Sequence, residues 1–184
     1  MATFAQNFSI IGPAGHPQFA SGGVFQAISA TSTAQNHNVL LTVQAVDPVL
    51  GVSEFQYAKG VASTAAGNFV VLNPDGTTTR AAGGTAKGLV GIAMSANVAN
   101  QWGWYCIKGM CLATIAGDVT ANLAAYGAAA GVLADDVVAT NQIAGAMLLA
   151  GLNAGGSAIP NTTDTTAANQ TVACIRYPVA ILAV

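Results

Sequence analysis

Few side chains in this sequence are able to do chemistry, and their spacing decides what kind. The two histidines are His16 and His37. Both lie in a polar N-terminal stretch, and His37 sits in QNHN, which reads as a loop. General acid–base work wants a histidine or a carboxylate held in a cleft, and neither histidine has a partner at a fixed spacing. Asp135 and Asp136 are adjacent, so on a strand they would point apart; a turn suits them better than an ion site. Cys106, Cys111 and Cys174 are the only cysteines. A separation of five puts Cys106 and Cys111 on opposite faces of a strand, and it is not a CxxC redox or zinc pair. All three read as small apolar fillers. The chain has no Walker loop, nucleophile elbow, HExxH or EF-hand loop. The expectation is a protein that is not an enzyme and takes no cofactor and no metal.

Other residues point to contact rather than catalysis. Trp102 and Trp104 share parity on one strand, as anchors of a core or a subunit interface; aromatic side chains bury ~150–250 Å² each. Arg176 stands inside the otherwise apolar TVACIRYPVAILAV. A buried arginine needs a partner, here a carboxylate across an interface, unless the side chain snorkels to solvent. Phe4, Phe8, Phe19 and Phe25 are spaced like isolated anchors along a Gln-, Asn- and Ser-rich segment. The expected partner or oligomer contacts are Phe4, Phe8, Phe19, Trp102, Trp104 and Arg176. Asn7, Asn161 and Asn169 open glycan-acceptor triplets, which arise by chance in a chain so rich in Asn and Thr.

Composition narrows the function classes. Charged residues make up 7% of the 184 residues, against roughly 25% in a typical soluble domain. Five basic residues face seven acidic ones, and phosphate binding needs clustered Lys and Arg, so nucleic acid is not an expected partner. Hydrophobic residues are 53%, much of it Ala, which argues against disorder. A surface so poor in charge has little protection against association, so much of it is expected to be covered in the working state. The apolar run 143–152 is too short to span a bilayer, and the N-terminus lacks the pattern of a signal peptide. No membrane partner and synthesis in the cytoplasm are expected.

The elements that would position these residues are mostly strands. Residues 1–38 read as an extended N-terminal arm with a few short pairings, and 39–184 as a β-rich domain. Strands are predicted over 39–46, 52–60 with Phe55 and Tyr57 on one face, 88–95, 102–115 and 171–184, the last buried on both faces. The run NPDG at 73–76 is a type I turn joining a hairpin over 68–81. Along 102–115, Trp102, Trp104, Cys106 and Lys108 would face one way and Gly103, Tyr105 and Ile107 the other, with Gly109 marking a bulge. Asp118 or Thr120 would cap a short helix running through Tyr126. A short hairpin is expected over 132–140. Residues 143–152 form a strand or a buried helix, which periodicity does not decide. Residues 153–170 form a long exposed loop. The predicted class is mainly β: a small β-sandwich or β-barrel with an extended N-terminal arm.

The segments GVASTAAGNFVVLNPDG at 60–76, GLVGIA at 88–93 and QWGWYCIKG at 101–109 carry a resemblance. A hairpin with Gly-Asn before it and Asp-Gly at its turn, then a GxA strand, then a strand with an aromatic-Gly-Trp core, resembles capsid decoration (cement) proteins of tailed bacteriophages and related virion components. The resemblance covers roughly residues 52–120. It implies a protein on the outer surface of an icosahedral virion capsid, partnered with the major capsid protein and with itself as a homotrimer, that stabilises the shell by bridging capsid subunits. The alternative it leaves open is a head-fibre, tail or host-binding adhesin component.

Overall fold

In a computed structural model the described residues are 6, 8–11, 26–80, 87–96, 99–116, 123–128, 131–135, 142–149 and 170–180. They form a mainly β protein whose antiparallel sheet curls into a half-barrel. Among the described residues there are eleven strands: β1 Ser9–Ile11, β2 Thr42–Asp47, β3 Gly51–Lys59, β4 Phe69–Leu72, β5 Thr78–Arg80, β6 Gly88–Ala93, β7 Trp102–Thr114, β8 Leu123–Gly127, β9 Leu133–Ala134, β10 Gln142–Leu148 and β11 Gln170–Ala180. The predicted mainly β class holds in this architecture. One local expectation does not: Tyr126 lies in strand β8, not in a helix. β9 pairs back onto β8, and residues 136–140 of the expected hairpin lie outside the described residues. The undecided apolar run is strand β10.

Turn chemistry starts the sheet. Asp47 accepts hydrogen bonds from the Val49 and Leu50 amides at 2.8 and 2.9 Å. That Asx turn sends β2 directly back as β3, in register from Thr42↔Gln56 to Asp47↔Gly51. The NPDG turn joins β4 to β5 as expected, with the Gly76 amide donating to the Asn73 carbonyl.

Strand β7 is the longest and organises the rest. Its first part pairs with β3, its second part, 108–114, with β11. Where the partner changes there is a bulge: Glu54 faces Lys108 while its neighbour Phe55 faces Cys106, leaving Ile107 as the extra residue. A bulge reverses the alternation beyond it. Trp104 and Cys106 face the main core before it, and Cys111 and Ala113 face the same core after it. Two expectations are corrected by this one residue. Cys106 and Cys111 lie on the same face, and Lys108 lies on the face opposite Trp104. Gly109 follows the bulge with φ +106°, and a Cβ there would stand 2.2 Å from Ser53 Oγ, so glycine is required.

Two rings of strands share β7. In the first, β3, β7, β6, β4 and β5 follow one another, and a Lys59↔Thr77 bridge returns β5 to β3. Its hollow holds Ala58, Val70, Leu72, Ala93, Tyr105 and Ile107. Gly91 lies at a close approach within it, where a Cβ would meet Tyr105 Cβ at 2.9 Å and Leu72 Cδ1 at 3.0 Å. In the second, β7, β11, β10, β8 and β9 follow one another, and an Ile115↔Leu133 bridge returns β9 to the end of β7. Its inner side chains include Cys111, Ala113, Ala125, Ala146 and Ala173. The main core joins them to side chains of the first ring that point away from its hollow, among them Phe69, Ile92 and Trp104.

Of the segment expected as an arm, residues 26–38 pack on this core. Ile28 is buried in it, Ser32 bridges to Trp102, and Trp104 Nε1 donates to the Gln26 carbonyl at 3.0 Å. β1 extends the sheet beside β2.

Candidate interaction surface

The face of the sheet opposite the main core carries a set of polar side chains bonded to one another. Glu54 lies at its centre on β3. Its Oε1 accepts from Lys108 Nζ at 2.8 Å and from Gln44 Nε2 at 3.3 Å, and its Oε2 from the Tyr177 hydroxyl at 2.5 Å. The β7 bulge turns Lys108 onto this face, and register places Gln44 directly opposite Glu54 on β2. The Lys108 ammonium also stands 5.4 Å from the Tyr177 ring centroid, within cation–π range.

Tyr177 arrives there through an unusual backbone. Its φ is +46°, a conformation that is rare for a bulky residue. Opposite it β10 is also irregular: Ala144 pairs with Val179 and Ala146 with Ile175, so Gly145 spans 176–178 alone. A Cβ on Gly145 would stand 2.7 Å from the Arg176 carbonyl oxygen. This double irregularity leaves both Arg176 and Tyr177 exposed on consecutive positions. The last strand is therefore not buried throughout, which corrects the expectation from its apolar composition. Residues held in such backbone conformations persist only where the surroundings over-determine them, and they cluster at functional sites.

The network sets its own electrostatics. The hydrogen bond from Lys108, then that from Tyr177, holds the Glu54 carboxyl below its ordinary value of 4.5. The same bonds raise Lys108 above 10.5 and Tyr177 above 10.0. All three are thus held in a fixed ionic state at neutral pH, with the phenol protonated.

Apolar surface borders the network. Val46 and Val52 face each other across β2 and β3, two residues along from Gln44 and Glu54, and Val52 is 55% exposed. In the other direction along β3, Gln56 forms one wall of a cleft of about 460 Å³ at the mouth of the first ring, with Leu40, Leu72, Pro74, Lys87 and Leu89.

The expected contact residues scatter. Phe4 and Phe19 lie outside the described residues. Phe8 packs edge-on against Phe55 of its own chain, with ring centroids 4.8 Å apart. Trp104 is fully buried and belongs to the core. Trp102 is half-buried, stacked on Tyr57 at 5.7 Å. Only Arg176 belongs to the patch. His37 is buried against the Tyr57 and Trp104 rings, at 5.0 and 5.1 Å. His16, Asp136, the three glycan-acceptor asparagines and the 153–169 part of the expected loop lie outside the described residues. Sequence reasoning does not single out Glu54, Lys108 or Tyr177 as contact residues. The signal for Tyr177 is the Arg-Tyr-Pro interruption of an apolar strand.

Among the described residues no three His, Cys, Asp or Glu side chains converge on a possible metal site, and no helix is long and apolar enough to cross a membrane. Comparison with protein-family models, with curated proteins and with solved structures found no match.

Proposed function

We propose that this chain is a structural virion protein that binds the outside of an icosahedral capsid and stabilises it by bridging major capsid protein subunits, itself a homotrimer. The observation that carries a contact role is the patch around Glu54. Its polar groups bond to one another on an open sheet face beside exposed valines, the mixture of aromatic, arginine and apolar groups that protein contacts favour. The capsid as partner rests on the resemblance of residues 52–120 to decoration proteins. The charge-poor composition fits the same reading, because covered surface needs little charge. A protein that binds only the assembled shell stabilises it by mass action, and symmetric copies add avidity.

The test is sedimentation of the purified protein, alone and with empty heads from the phage genome that encodes it. A trimer-sized species that co-pellets at a fixed, saturable ratio is expected. A monomer that stays in the supernatant overturns the proposal and favours a tail or host-binding role.

A further inference from the structure

The Lys108 and Arg176 positions are directly opposite one another where β7 meets β11. Like charges so placed repel. Glu54 answers one of them, through Lys108. Among the described residues Arg176 has no ion-pair partner, and the regular pairing of β11 with β7 turns it outward, away from the core that holds Ala173 and Ile175. Lys108, Glu54 and Arg176 together leave a positive charge at this spot. On the same face, past Gln56, opens the apolar cleft between Leu72 and Leu89.

We infer that this face takes a protein segment presenting a carboxylate beside a large apolar side chain. The carboxylate pairs with the Arg176 guanidinium, whose planar fork suits it bidentately. The Tyr177 ring, fixed by Glu54, forms the floor beside it. The apolar side chain enters the cleft, and Val46 and Val52 cover the neighbouring surface. Lys108 is not the ligand, since its charge is already met; it holds Glu54 and Tyr177 in place. The inference rests on the proposed function for the identity of the partner, a capsid subunit, and adds the chemistry that subunit must present.

The experiment is co-sedimentation of the full chain with empty heads, comparing the native protein with Arg176→Glu, Arg176→Lys and, as a control away from the charge pair, Asp75→Asn. Each variant is first checked for an unchanged urea midpoint, expected because Arg176 is exposed and asparagine at position 75 keeps an oxygen to accept from Thr77. Arg176→Glu is expected to weaken binding ~10-fold or more and Arg176→Lys by less, with Asp75→Asn unchanged. Raising the salt concentration should weaken the native protein but not Arg176→Glu. Native binding with Arg176→Glu binding equally well overturns the inference and leaves the capsid role standing. No native binding to heads overturns both.

Discussion

Glu54 is the acceptor on which the outer patch depends, so its protonation sets the range in which the patch exists. Its folded pKa lies below 4.5, so the unfolded chain takes up this proton first. The stabilisation is present above about 4.5 and lost as pH falls through the lower folded value. Lys108 and Tyr177 are raised above 10.5 and 10.0. Their contributions are complete below those values and lost as pH rises through the raised ones. Glu54→Gln is predicted to bring the Tyr177 titration back toward 10.0. Tyrosinate absorbance, taken as the difference from the same protein with Tyr177→Phe, measures it; an unmoved titration would show that the carboxylate does not hold the phenol. In the core, Trp104→Phe should lower stability by roughly 2–4 kcal/mol, because it opens a cavity and strands the Gln26 carbonyl; the urea midpoint reports it. Trp104 and Arg176 are legible in the sequence as residues with a structural task. Glu54 and Tyr177 are not, because their contact joins strands far apart in the chain and depends on two irregularities that residue types alone do not announce.

At the scale of the element, one inserted residue in β7 decides what faces what. Strict alternation predicts the Trp102–Trp104–Cys106 face correctly and fails from Lys108 onward. The strand itself, its Gly109 and the hairpin turn are all readable from composition. The register step is not, since it depends on where β3 leaves β7 and β11 replaces it. Gly109→Ala combines a left-handed backbone with a clash against Ser53 and should cost roughly 2–4 kcal/mol. Adding Ser53→Gly removes the contacts with Oγ and Cβ but leaves the Ser53 Cα at 2.8 Å and the backbone strain, so only partial recovery of the urea midpoint is expected. Full recovery would show that φ is unimportant there.

The molecule as a whole explains its own composition. The second ring buries Ala113, Ala125, Ala146 and Ala173 beside Leu133, Ile143, Leu148 and Ile175 in the main core, so its alanines are packed against large side chains. Replacing Ala173, which is fully buried, by the more hydrophobic leucine should therefore destabilise by roughly 1–3 kcal/mol rather than stabilise, as read by thermal unfolding. The N-terminal segment reads as an arm from its lack of periodicity, yet residues 26–38 lid the aromatic core through single side chains and backbone bonds. Such irregular packing has no period for a sequence to display. Phe8→Ala should cost about 1–2 kcal/mol and speed amide exchange along β2, whose outer neighbour is β1.

The sharing of β7 between two rings also orders events in time. Its first half finds β3 and β6 nearby in the chain, so that ring can close early. Its second half waits for β11, separated from it by β8, β9 and β10. Until β11 arrives, the edge from Met110 to Thr114 lies open, the condition in which strands pair with the wrong chain. Folding should then show two kinetic phases, an early one reporting Tyr105 in the first ring and a slow one closing the second. Crowded refolding would lose protein during the interval between them.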